Sequence, residues 1–326
     1  MEPRGITRPA QDGAILSIAR LRPARQQTWR RMRRYKVLYL LVVPALLYYA
    51  VFSYAPMYGL TLAFKHFMFY QGILGSPWVG WSNFQEAFLY NDFWNALRNT
   101  IIISLGRLIF EFPVALILAL LLNELGERSK VKRIFQTVFT FPHFLSWVVL
   151  SGILINMLGD TGIVNALLSQ FGLPRMDFLV SPGTFRPLLF ASNDWKDAGW
   201  GAIIYLAAIA GISPEQYEAA YVDGANRWQQ LRYITVPAIT GTIAIMLILA
   251  VGNIMNAGFD QIFNLYSGAV FNVADIVDTF VYRFTFQQGG SYGVGAAIGL
   301  FKSVLNLVLL VLANSAVKRM GQEGLF

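Results

Sequence analysis

Residues 37 to 58 form a run of 22 positions without one charged side chain. A helix needs about 20 mostly apolar residues to cross the hydrocarbon core of a bilayer, so this run decides the solvent of the fold before any other feature does. Five further stretches have comparable length, at about 100–123, 134–158, 187–211, 237–258 and 295–317. The fourth is apolar only after Asp197. Composition agrees, with 56% of residues hydrophobic and 13% charged, against about a quarter charged in a soluble domain. The expected fold is all-α: a polytopic membrane helix bundle of six transmembrane helices.

Orientation follows from Lys and Arg, which concentrate on the cytoplasmic side of membrane proteins. Eighteen of the 26 lie in the tail before Val37, between the second and third spans, after the fourth, and after the sixth. The tail carries Arg30, Arg31, Arg33 and Arg34, the second cluster Arg128, Lys130, Lys132 and Arg133, and the others Arg227, Arg232, Lys318 and Arg319. Both termini are therefore expected in the cytoplasm. The implied organisation is a basic tail (1–36), a six-helix transmembrane domain (37–317) with a cytoplasmic loop at 212–236, and a short tail (318–326). The basic tail and long first run suit an uncleaved anchor and not a cleaved leader. Trp78, Trp81, Trp94, Trp195 and Trp200 fall near the opposite face, where indoles favour the headgroup zone. The net charge of +8 sits at span edges, so it reads as orientation and excludes a nucleic-acid patch. The absence of cysteine and the presence of only His66 and His143 exclude disulfides, thiolate chemistry and a histidine metal cluster.

The loop at 212–236 is too apolar for a bare connector. Ser213, Pro214 and Gln216 supply an N-cap, a first-turn proline and a capping-box partner, predicting a short helix to about Asp223. Gly224 permits the turn. Ala225 to Tyr233 offers a second short helix, expected to stop before Pro237. Glu218, Ala219, Ala220 and Gly224 put small side chains and a carboxylate around the turn, a surface that another protein can approach closely. An ordinary hairpin lying on the membrane, held by Tyr217, Trp228, Leu231 and Tyr233, explains the same residues.

The spacing of Glu218-Ala219-Ala220, Asp223-Gly224, Ile234 and Pro237 resembles the EAA loop of permeases in binding-protein-dependent ABC importers. The usual Leu-Pro ending is here Val236-Pro237. Weaker matches follow in order: Asn83-Phe84, Asn99-Thr100, Asn123-Glu124, Phe141-Pro142-His143-Phe144 with Ser146-Trp147-Val148, and Asp160-Thr161-Gly162 with Val164-Asn165. They resemble the oligosaccharide branch of that family. The resemblance implies an inner-membrane permease whose loop is a coupling helix docking on an ATP-binding subunit. It implies as partners a second permease, two ATP-binding subunits and a periplasmic solute-binding protein, with ATP and Mg held by the ATPase and no cofactor on this chain. No G-x-x-x-x-G-K-[ST] phosphate loop occurs, in keeping with ATP being held elsewhere.

Charges inside the spans mark either a path or structural pairs. Arg107 and Glu111 are four apart on one helix face and can pair. Arg107 lies about 10 Å below the outer face at 1.5 Å per residue, and Lys302 lies at similar depth. Arg107, Glu111, Asn253, Asn256 and Lys302 are the candidate substrate path. The alternatives are a structural Arg107–Glu111 pair, a Lys302 that snorkels to the surface, and asparagines that bond between helices. With Lys302 expected as the freer cation, the pair of cations points to an acidic, uronate oligosaccharide such as alginate. Gly295 and Gly299 suggest close helix packing, and His143 beside Pro142 suggests a helix break. The rival function is an ion-coupled secondary transporter, for which Glu111 is the one candidate carboxylate; copurification of an ATPase separates the two.

Overall fold

The computed structural model describes residues 35–126, 129–321 and 324–325. Arg30, Arg31, Arg33 and Arg34, with nearly all of the basic tail, Arg128, and Gln322, Glu323 and Phe326 of the C-terminal tail lie outside the described residues. Two compact units are present, one through Tyr58 and one from Gly59. In the first, helix α1 starts at Lys36, and every described side chain is exposed, as suits a segment solvated by lipid. The helix ends at Phe64, within the second unit.

The second unit is almost wholly helical. It contains α2 (Ser82–Leu89), α3 (Asn91–Glu124), α4 (Lys130–Thr140), α5 (Trp147–Leu158), α6 (Ile163–Gln170), α7 (Pro182–Ala210), α8 (Pro214–Val222), α9 (Arg227–Ala238), α10 (Thr240–Gly252), α11 (Phe259–Leu265), α12 (Val277–Tyr282) and α13 (Tyr292–Arg319). Serines start three of these. Ser129, Ser146 and Ser291 each accept a hydrogen bond from a backbone N–H of the first turn of α4, α5 and α13, satisfying donors that a helix leaves open at that end. Lys318 and Arg319 close the last turn of α13, where cations suit the helix dipole.

The paired helices α3 and α7 form the centre. Ala119 packs with Ala202 and Tyr205 near one end, and Ile103 packs with Phe185 and Leu189 farther along. Gly199 brings α7 against the backbone of Phe139 and Thr140, where a Cβ would collide. A second core joins Phe93, Ala96 and Leu97 of α3 to Val277, Phe280, Val294 and Ile298. Gly295 approaches Thr285 so closely that a side chain would not fit, whereas Gly299 faces open space; the expected close-packing pair is therefore half realised.

Among the described residues, four helices are long and apolar enough to cross a membrane: Lys36–Phe64, Asn91–Glu124, Trp147–Gln170 and Tyr292–Arg319. The pair α9 and α10, bent by 60°, makes a fifth when taken as one span. Helix α7 has 29 residues, but Arg186, Asp194, Lys196 and Asp197 keep it out of that apolar class. The third expected span, 134–158, is not continuous. Pro142 lies in a 3-10 turn at Phe141–Phe144, and Ser146 caps a new helix. The fifth expected span, 237–258, is also redrawn. The helix passes through Pro237, bends at Ile239, and ends at Gly252 before a left-handed pair, Ala257 and Gly258.

Candidate functional site

Helices α3, α7 and α10 and the segment after α10 line an open cavity of about 400 Å³. Its wall takes Ser104, Arg107 and Glu111 from α3, Asn193, Asp194 and Asp197 from α7, and Asn253, Asn256, Ala257 and Gly258 from the segment between α10 and α11. That segment is unwound because Gly252 ends one helix and Gly258, at φ +82°, sets the direction of the next. Irregular backbone at membrane depth is tolerated where it lines a cavity. Gly258 also lies directly on the Arg107 guanidinium, in space that a Cβ would occupy.

The charges in the cavity are mostly spoken for. Arg107 Nε lies 3.6 Å from Glu111 Oε1, so the pair expected from the four-residue spacing forms. Arg107 also donates through Nη2 to Gln261, and Gln261 is itself held by Leu189 O and Ser192 Oγ, both at 2.8 Å. Glu111 Oε2 accepts from Asn193 Nδ2 at 2.7 Å. On the far wall, Asp197 Oδ1 lies 2.7 Å from His143 Nδ1 and 3.6 Å from Lys196 Nζ. The His143 ring stacks on Trp200 at 4.5 Å, and Lys196 donates to the His143 carbonyl at 2.7 Å. His143 thus anchors the break between α4 and α5 to α7.

Of the expected path residues, Arg107, Glu111, Asn253 and Asn256 line this cavity. Lys302 does not. It opens instead on an adjoining groove with Asn256, Asp278, Phe259, Tyr282 and Phe286. Nor is it a free cation: Nζ donates to both carboxylate oxygens of Asp278, at 2.6 and 2.7 Å, and to Asn256 Oδ1 at 3.3 Å. Asp278 sits in the first turn of α12, outside every span drawn from the sequence, so its meeting with Lys302 had no local signal. Asn193, Asp194, Asp197 and Gln261 were also missed. The signal for the first three was the polar start of the fourth apolar stretch, since charges inside an apolar helix usually face a bundle interior or water.

The loop expected to dock a partner folds as a hairpin. Helix α8 begins after Ser213, as predicted, but Ser213 makes no side-chain cap; the N–H of Gln216 goes to the Ser213 backbone carbonyl instead. The capping box forms instead at the start of α9, between Asn226 and Gln229 at 2.8 and 2.9 Å. Gly224 makes the turn at φ +79°. Pro237 does not stop the second helix. A π-helical stretch at Leu231–Thr235 precedes it, and wider turns relieve the clash and lost donor that proline imposes. The hydroxyls of Tyr217 and Thr235, 2.9 Å apart, tie the two arms together. Glu218, Ala219, Asp223, Gly224 and Pro237 are exposed, Ala220 and Ile234 half-buried. Neither Glu218 nor Asp223 has an ion pair among the described residues.

Comparison with known proteins places these features in context. The profile of the family described as binding-protein-dependent transport system inner membrane component matches residues 111–322. Over 296 residues the chain is 43% identical to Protein LplB of Bacillus subtilis (strain 168), covering 90% of this chain and 92% of that one. It is 38% identical over 323 residues to the polygalacturonan/rhamnogalacturonan transport system permease protein YteP of the same organism, covering 98% and 99%. A chain in the crystal structure of a bacterial ABC transporter involved in import of the acidic polysaccharide alginate superposes with a TM-score of 0.82. That chain is 38% identical, with 90% of this chain and 99% of that one covered. A chain of the alginate transporter in complex with an alginate pentasaccharide-bound periplasmic protein gives 0.83 at 37% identity, covering 91% and 99%.

Proposed function

This chain belongs to the inner-membrane-component family of binding-protein-dependent transport systems, and from that membership we propose that it supplies one wall and one lever of an ATP-driven oligosaccharide importer. It is a multi-pass membrane permease and not an enzyme. A second permease completes the path, two ATP-binding subunits hold and hydrolyse ATP with Mg, and a periplasmic binding protein delivers the sugar. Six crossings with both termini in the cytoplasm fit this role, α7 being the charged crossing that faces the cavity and not lipid.

The hairpin of α8 and α9 is the lever. Glu218, Ala219, Ala220, Asp223 and Gly224 present a small-residue turn with unpaired carboxylates to the ATPase, while Ile234 and Pro237 join it to α10. Closure of the ATP-binding subunits pushes the hairpin, and the bend at Ile239 passes the movement to the segment at 253–258. Arg107, Glu111, Asn253 and Asn256 line the path, with Lys302 beside it.

The cargo is a uronate-containing oligosaccharide. Arg107 and Lys302 are each held by a carboxylate of this chain, so the acidic character rests on the likeness to alginate-importer chains over 90% of the sequence, which is the observation that carries the reading. Membership of this family also removes the ion-coupled alternative. The test is to purify the chain with its neighbouring-gene partners, reconstitute the complex, and compare uptake of uronate oligosaccharides with their carboxyl-reduced counterparts. ATP-dependent uptake with the uronate preferred supports the proposal. Uptake driven by an ion gradient without ATP, or a preference for the neutral sugar, overturns it.

A further inference from the structure

We propose that the cavity between α3, α7 and the unwound segment reads sugar hydroxyls, and that a uronate cargo turns its carboxylates toward the wall supplied by the second permease. This rests on the uronate-importer reading and specifies which face of the cargo this chain touches.

Among the described residues, the cavity wall has one cation, Arg107, against three carboxylates, Glu111, Asp194 and Asp197. Arg107 is already engaged by Glu111 and Gln261, so no cation is left over to receive a carboxylate. Arg107 Nε and Glu111 Oε1 lack a hydrogen bond but face each other at 3.6 Å as an ion pair. Ser104 is 3% exposed, lines the cavity, and its Oγ has no partner; Asp194 Oδ1 is likewise buried without a hydrogen bond. Asp197 is taken by His143 and Lys196, which leaves Asp194 as the open acceptor.

Ionised carboxylates only accept hydrogen bonds, whereas a hydroxyl both donates and accepts. A sugar hydroxyl placed between Asp194 and Ser104 satisfies both. A uronate carboxylate offers no donor there and adds like charge. No group of three acidic or histidine ligands among the described residues is placed to hold a metal ion, so hydroxyl donors and not a cation complete the set. The asparagines at Asn193, Asn253 and Asn256 suit the same chemistry.

The experiment measures uptake by the reconstituted complex for the wild type, Asp194→Leu, Asp194→Asn and Ser104→Ala. Each is assayed with a uronate oligosaccharide and with its carboxyl-reduced counterpart, after co-elution of all subunits verifies assembly. Asp194→Leu should lower apparent affinity about tenfold for both sugars alike, because a charge-assisted hydrogen bond is lost. Ser104→Ala should do the same by about threefold, and Asp194→Asn, which keeps an acceptor, should lose less than Asp194→Leu. A rise in affinity for the uronate alone in Asp194→Asn would mean that the cargo carboxylate faces this wall, and would overturn the proposal. Unchanged affinity in all three variants, with a wild type that imports uronate, overturns it as well and leaves the importer reading intact. A wild type that imports neither sugar removes both.

Discussion

Gly258 carries two demands at once: a left-handed backbone at φ +82° and a surface without a Cβ against the Arg107 guanidinium. Replacing it by alanine costs about 1–2 kcal/mol for the backbone alone and displaces Arg107 from Gln261. Gly258→Ala should therefore lower the melting temperature of the purified complex and reduce uptake; unchanged values of both would remove the cavity role given to this turn. Lys302 and Asp278 pose a different question. Lys302→Met strips Asp278 of its counter-ion, with Asp278 side chain 30% exposed, so part of the penalty is relieved by water. The expected result is a loss of stability that the double variant Lys302→Met/Asp278→Asn largely restores, with neutral and acidic sugars affected equally. A double-mutant cycle of melting temperatures reads the coupling, and additive effects would show that the pair is not an energetic unit. Of these contacts, Arg107–Glu111 was legible in the sequence because both residues lie on one turn of one helix. Arg107–Gln261, 154 positions apart, was not, because only the crossing of α3 with α7 and the unwound segment brings them together.

At the scale of the element, the hairpin of α8 and α9 shows how local signals decide a loop. Gly224 stands at φ +79° with nothing within 4 Å of the Cβ position. Gly224→Asp therefore meets no steric obstacle within the chain. Asp is among the residues that visit left-handed backbone, so the bundle should remain folded. What changes is the outward face, where a third carboxylate joins Glu218 and Asp223. We expect weaker ATPase copurification and loss of sugar-stimulated ATP hydrolysis, with the melting temperature of the isolated permease shifted by no more than a few degrees. Retention of full stimulation would demote the hairpin to a structural role. The turn and the start of α8 were legible in the sequence, since glycine and N-terminal proline act on their own backbone. The capping box expected at the start of α8 forms at the start of α9, and Pro237 does not end the second helix. Each depends on which of two competing acceptors or turn widths wins, a choice that the residue types alone do not make.

For the whole molecule, the topology is the property on which the assigned roles depend. Reporter fusions at Gln229 and Phe326 should both be active only in the cytoplasm, because the basic residues cluster on that side; periplasmic activity at either position would invert the bundle and detach the hairpin from any ATPase. The apolar runs, the charge bias, the hairpin and the Arg107–Glu111 pair were set by sequence alone, since hydropathy, helix periodicity and turn chemistry act over a few neighbouring residues. Tertiary structure alone decided the rest: that residues 134–158 break at Pro142, that residues 253–258 unwind over Arg107, that Lys302 is bound by Asp278, and that the cavity is lined by more carboxylates than cations. These outcomes depend on where helices cross. A charged side chain in a low-dielectric interior is stable only with a partner, and the chain finds that partner wherever packing brings one within reach, at any separation in sequence.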